Sequence, residues 1–332
     1  MKTKDEREWE VLDNVFDLSD KIVSVIKSEQ PDFILDYKGT TTGVEITELY
    51  FNHSMARLHN KKNYIEDILI KGKIHKDDKN ILVPWNVIYY GKSNNYKPSK
   101  IKILPNPVYD MNDFRESFIS AIDNKEISKK KYNETLEQCS LITFDKENAF
   151  KKIDAADFHS SFINERVFDS IMTSSFDEIF ILVMLKNNKI AFSNLKLACL
   201  LLEMNRLFNY IAKNKDKFDY DTLSKATFQV VFAEALLRRG VKDISMFNMD
   251  SFSVTSTPRY GIGFNNENSN HTCIIDHFPE LHKSNKLMSL EELPYNLFNE
   301  DSFRDYRDGV KDNGVSFNIP FLNKKYGYQF YQ

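Results

Sequence analysis

The 332-residue chain is poor in the residues that cross-link, kink or loosen a backbone: three cysteines, nine prolines and ten glycines. Cys139, Cys199 and Cys273 are too widely spaced for a disulfide framework, so a reducing, cytoplasmic compartment is expected. No apolar run approaches the roughly 20 residues of a membrane span; "IFILVML" and "LACLLL" are the longest, and no membrane contact is expected. The opening "MKTKDEREWE" is charged where a secretory signal would be apolar. Charge of one sign is scarce as well. A formal net charge of −3 supplies no bulk attraction to phosphate, so nucleic-acid affinity would need a local basic patch. There is no Gly-x-Ser-x-Gly element, and "YGIGF" (260–264) lacks the strand–glycine–helix setting of a phosphate loop.

What the chain has is core material. Hydrophobic residues make up 42%, with 26 Phe and 16 Tyr, which points to an ordered α/β or α+β protein. Apolar spacing predicts a helix over 4–28, ended by "SEQP". "DFILD" and "TGVEITELYF" read as strands around the turn "YKGTTT". A helix over 54–72 and a β-rich stretch follow, in which Pro84 suggests an edge or a bulge. A helix over 112–137 is capped in this reading by Asn112 or Asp113. "CSLITF" and "DEIFILVML" are buried strands with helical sequence between them. Helices over 194–213 and 221–239 come next, the second closed by Gly240, and a mixed, loop-rich remainder. The change of pattern sets an expected boundary between a domain at 1–193 and a helical or mixed part at 194–332.

The chemistry concentrates in "PDFILDYKGTTTGVEIT", residues 31–47. Alternation puts Glu45 and Thr47 on one face of their strand, with Val44, Ile46 and Glu48 on the other. If the two strands pair, Asp32 approaches Glu45. Two carboxylates at that distance repel unless a cation lies between them, and Mg²⁺ (or Mn²⁺) takes hard oxygen ligands of this kind. The Ile46 carbonyl is a third candidate ligand. Glu8 lies three, four and seven residues before Val11, Leu12 and Val15, and so shares the apolar side of its helix. A carboxylate there is costly unless paired or metal-bound, although at a first helical turn it can simply stabilise the dipole.

Pro31-Asp32 opening one strand, Glu45-Ile46-Thr47 in the next and Glu8 in the preceding helix resemble the PD-(D/E)xK restriction-endonuclease-like superfamily. The likeness covers residues 5–50 well and extends loosely to about 185. It implies a central mixed sheet flanked by helices and a Mg²⁺-dependent endonuclease site. Asp32, Glu45 and Ile46 would hold the metal, and Glu8 would act through a metal-bound water. The family's usual lysine is replaced by Thr47. Lys125 and Lys129, one turn apart on the Phe118, Ala121, Ile122 stripe, are candidates to supply that charge from elsewhere; Lys38, in a turn, is a poorer one.

The resemblance implies phosphodiester hydrolysis of nucleic acid, DNA favoured over RNA, in a restriction or defence setting. Cutting both strands of a duplex needs two sites, so a homodimer is expected. Thr47 leaves a second class open: a non-catalytic protein that keeps the fold and binds nucleic acid or another protein. Arg57, Lys61 and Lys62 on one predicted helix, and Lys130 and Lys131 at another helix end, are candidate backbone contacts, although solvated helix ends explain such runs equally well. His59 and Tyr64 could stack on bases or simply pack. "HTCIIDH" (271–277) fits no closed zinc pattern.

Overall fold

A computed structural model describes residues 3–18, 24–37, 39–89, 99–104, 110–132, 135–213, 225–249, 252–265, 272–276 and 330–331. The architecture is a mixed α/β one, with helices on a six-stranded mixed sheet. The chain divides into a larger unit, residues 1–48 with 119–332, and a smaller unit, residues 49–118.

In the larger unit, α1 (Lys4–Val15) starts at a capping box between Thr3 and Glu6. It stops at Phe16 rather than running to residue 28, because the following β-branched segment Ser24–Lys27 forms strand β1 instead. β1 pairs antiparallel with β2 (Phe33–Tyr37), and this tertiary pairing overrides the helical spacing read from the sequence. β2 pairs antiparallel with β3 (Thr40–Leu49), Phe33 standing opposite Val44. The sheet continues through β6 (Gln138–Asp145) and β7 (Glu178–Met184), which are parallel, to β8 (Ile190–Asn194), antiparallel to β7. The spatial order is β1-β2-β3-β6-β7-β8.

One face of this sheet buries α1. Val11, Leu12, Val15 and Phe16 pack with Phe33, Leu35, Val44, Ile46, Ile142 and Phe180. The other face takes α7 (Leu195–Lys213), which packs on β7 and β8. Short helices α5 (Phe158–Phe162) and α6 (Glu165–Thr173) link β6 to β7. The expected boundary at 193/194 falls inside β8, one residue before its end and within the larger unit. Beyond α8 (Lys225–Arg238), which ends at Gly240 with φ of +86°, the mixed remainder contains strands: β9 (Ser245–Met249), β10 (Phe252–Ser256), β11 (Tyr260–Asn265), β12 (Thr272–Asp276) and β13 (Phe330–Tyr331). They form a second sheet, ordered β12-β11-β10-β9-β13, against which α8 packs. "YGIGF" is thus β11, and His271 and His277 of "HTCIIDH" lie outside the described residues.

The smaller unit holds α2 (His53–Asn60) and α3 (Tyr64–Leu69), not one helix over 54–72. The break comes at Asn63, whose left-handed φ of 59° a continuous helix cannot accommodate. Pro84 precedes β4 (Trp85–Tyr89), which forms a two-stranded hairpin with β5 (Ser99–Ile103). Tyr64, Ile68 and Leu82 form its core. The division between the units runs within α4 (Met111–Lys129), which is capped by Asp110: its Oδ1 accepts from the N–H groups of Asn112 and Asp113, the residues expected to be caps themselves. Among the described residues no helix is long and apolar enough to cross a membrane.

Candidate active site on the first sheet

The antiparallel register decides how Asp32 and Glu45 meet. Continued one residue past the Phe33–Val44 pair, it sets Asp32 opposite Glu45. Asp32 is fixed there by its own carboxylate, whose Oδ2 accepts the Ile46 N–H at 2.8 Å. The approach of the strands depends on Gly43: a Cβ at that position would stand 2.8 Å from both Pro31 Cγ and Leu136 Cδ1. Val44 and Ile46 enter the α1 core, so Glu45 is turned to the opposite face, as alternation requires. Thr47 shares the Glu45 side and is half-buried.

Glu45 is buried yet fully paired. Lys125 Nζ from α4 donates to its Oε1, and Tyr132 Oη donates to its Oε2 at 2.6 Å. Burial and the bond to Glu45 drive the Tyr132 phenol well above its usual range, so it remains a donor. Of the two lysine candidates, the structure brings Lys125 to the carboxylates and sends Lys129 elsewhere. Lys129 Nζ donates to the Ser175 carbonyl and lies 5.0 Å from the Phe176 ring centroid.

Glu8 is buried on α1 with Val11, Leu12 and Val15. Its Oε2 accepts from Lys27 of β1, and its Oε1 lies 3.2 Å from the exposed Lys4 Nζ. Lys27 Nζ is also 3.9 Å from Asp32 Oδ1, so it links the two acids. Sequence reasoning missed both Lys27 and Tyr132. Lys27 lay inside a segment read as helix; read as a strand, its place opposite Phe33 puts it on the α1 face beside Glu8. Tyr132 follows the end of α4 and carries no motif signal.

Burial, then the charges of Glu45 and Glu8, push the Asp32 carboxyl above its usual range, against the Ile46 N–H and Lys125. Three carboxylates face two half-buried ammonium groups, Lys27 and Lys125, with Lys4 largely in solvent. No three His, Cys, Asp or Glu side chains among the described residues are gathered closely enough to hold a metal by themselves. The candidate donors are therefore Asp32, Glu45 and backbone oxygen, with Glu8 further off. Such an all-oxygen set, completed by water, suits Mg²⁺ or Mn²⁺.

The basic residues expected to touch nucleic acid are distributed differently. In the smaller unit, Arg57 commits its guanidinium to the fully buried Asp78, which also accepts from Ser54 Oγ and Tyr64 Oη, each at 2.6 Å. These donors hold the Asp78 carboxyl far below the usual range, and they make Tyr64 a buried strut, not a stacking platform. Lys61 and Lys62 follow the end of α2 instead of sharing its face with Arg57; Lys61 Nζ is 4.6 Å from the Tyr64 ring centroid, and Lys62 is exposed. His59 is tilted against Tyr50 with centroids 5.5 Å apart. Lys130 and Lys131 are exposed just past α4. Asp36 closes its turn by accepting the Gly39 N–H, and Glu48 pairs with Arg7.

No family model, no curated protein and no solved structure matches this chain.

Proposed function

We propose that the protein is a metal-dependent nuclease, a phosphodiester hydrolase acting on nucleic acid and on DNA in preference to RNA. The observation that carries this reading is the ion pair between Lys125 and Glu45 beside Asp32. It supplies from α4 the positive charge that Thr47 does not offer.

Asp32, Glu45 and the Ile46 carbonyl would hold Mg²⁺ or Mn²⁺. Bound there, the ion would supply Lewis-acid activation of water for phosphodiester hydrolysis. The chain's own groups do the rest. Lys125 holds a positive charge where negative charge develops on the phosphoryl oxygens. Tyr132 keeps Glu45 in one orientation, and the Ile46 N–H does the same for Asp32. Lys27 pairs with Glu8 and lies 3.9 Å from Asp32 Oδ1, tying the two acids together.

The test is cleavage of supercoiled plasmid, linear duplex, single-stranded DNA and RNA with Mg²⁺, Mn²⁺ or excess chelator. The reading requires cleavage that chelator abolishes and that Asp32→Ala and Glu45→Ala each eliminate. Cleavage indifferent to both substitutions would overturn it. Saturable binding without cleavage would establish the non-catalytic class instead. Concentration dependence of double-strand scission reports whether two copies act together, as the homodimer reading requires.

A further inference from the structure

The loop from Ser174 to Asp177, between α6 and β7, forms one wall of an open pocket in the larger unit. Residues 240–243 after α8 and 257–260 between β10 and β11 form the others. Its cavity volume is about 150 Å³, room for a compact group such as phosphate and less than the roughly 300–1,000 Å³ of drug-sized ligand sites.

Two ammonium groups converge on this loop. Lys196 of α7 lines the pocket and donates to the Ser174 carbonyl at 2.6 Å, while Lys129 of α4 donates to the neighbouring Ser175 carbonyl. Both acceptors are neutral, and neither lysine forms an ion pair with a described residue. The nearby carboxylates are engaged in holding the loop. Glu126 accepts from the hydroxyls of both serines and from the Ser175 N–H, and Asp177 accepts the Cys139 N–H at 2.7 Å.

Lys196 is also at the wrong end of its helix. It is the second residue of α7, where the helix dipole disfavours a cation. Burial pushes its ammonium down to about 8; Asp177 opposes the shift and Lys129 adds to it. Within the chain the Asp177 and Glu126 carboxylates offset that charge from a distance, neither as a direct ion pair.

We propose that this pocket binds a phosphate group, with Lys196 as its principal contact and Lys129 reinforcing it. Lys196 lines the pocket while Lys129 holds the loop from outside the lining, so one ammonium would touch the anion and the other add charge behind it; lysine serves phosphate as a point charge. Arg259 also lines the pocket, its Nε held by Glu178 at 3.0 Å. The phosphate could belong to a free nucleotide or to a nucleic-acid strand. The inference does not depend on the nuclease reading.

The test is calorimetric titration of the full chain with inorganic phosphate, with adenosine monophosphate and with a short thymidine oligonucleotide, without divalent metal. Saturable binding is expected, weakened about tenfold or more by Lys196→Met, as loss of a charge-assisted contact implies. Lys196→Arg should recover most of it, and Lys129→Met should weaken it less than Lys196→Met does. Tighter binding of the mononucleotide identifies a free nucleotide as the source. Tighter, salt-dependent binding of the oligonucleotide identifies a strand phosphate. No saturable binding of any of the three, or equal affinity in wild type and Lys196→Met, would overturn the proposal. Should Lys196→Met fail to fold, acylation of Lys196 in the wild type, read by mass spectrometry with and without phosphate, decides the point: phosphate must protect it.

Discussion

Lys125 bonds the Glu45 carboxylate from a helix 80 positions further along the chain. A buried carboxylate and a half-buried ammonium held that way form a polar centre whose two halves have different consequences when removed. Lys125→Met should lower the rate of metal-dependent cleavage about 100-fold or more, the scale of losing a preorganised charge at a developing oxyanion. Lys125→Arg should restore part of it. Lys129→Met should cost less than Lys125→Met, since its Nζ contacts a carbonyl and not Glu45. Single-turnover rates at saturating protein measure all three.

Asp32 predicts a pH dependence. Its carboxyl is raised, so the carboxylate form, and cleavage with it, should decline at a pH above the ordinary carboxylate range as acid is added. Glu8 contributes to that rise by like-charge repulsion. Glu8→Gln should therefore move the acid limb of the pH–rate profile to lower pH. A limb that stays in place would separate Glu8 from the electrostatics of the site.

Gly43→Ala should damage both stability and activity. The added methyl would press on Pro31 and Leu136 from 2.8 Å, and Pro31 carries Asp32. Overpacking of this kind costs about 1–3 kcal/mol. Denaturant unfolding measures the first effect, and cleavage at a temperature where the variant remains folded measures the second.

His159 makes the larger unit acid-sensitive. It is buried, 2.8 Å from Ser193 Oγ through Nε2, and burial lowers its pKa to about 4. A depressed pKa means that its contribution is fully present above the unfolded value near 6.5 and is lost as pH falls towards 4. The loss should be on the order of 3 kcal/mol. Unfolding free energies measured from pH 7 to pH 4.5 should slope downward in the wild type and less steeply in His159→Gln.

Asp78→Ala should destabilise the smaller unit by about 1–3 kcal/mol, because it removes the buried acceptor shared by Ser54 Oγ, Tyr64 Oη and Arg57. The Asp78 carboxyl is held low, so its contribution is present above the ordinary carboxylate range and disappears only as pH falls through the depressed value. Hydrogen exchange in residues 53–82 would localise the effect.

The readable parts of this chain were those governed by local rules. Alternation along residues 40–49 put Glu45 opposite in sense to Val44 and Ile46, and three- and four-residue spacing put Glu8 on the buried side of α1. The strand β1 was hidden because Ile26 continues the helical spacing of Ile22 and Val23, and only pairing with β2 distinguishes the two states. Lys27 disappeared with it. The role of Arg57 was equally out of reach, since its partner Asp78 is 21 residues away and nothing local distinguishes a buried carboxylate from a solvated one. The second sheet went unread because its strands are short, β9 to β12 being five or six residues long, and include buried polar positions such as Ser253 and Thr255, the latter bonded to the Gln229 carbonyl of α8.

The smaller unit begins at Leu49 and ends at Phe118. The chain therefore departs a few residues after Glu45 and returns a few residues before Lys125. Covalently, the insert is a cassette flanked on both sides by the catalytic candidates. Replacing it with a short linker is a single cut-and-join that leaves Glu8, Lys27, Asp32, Glu45, Lys125 and Tyr132 in the remaining chain. A trimmed protein of that kind would show which properties travel with the cassette and which with the chemistry.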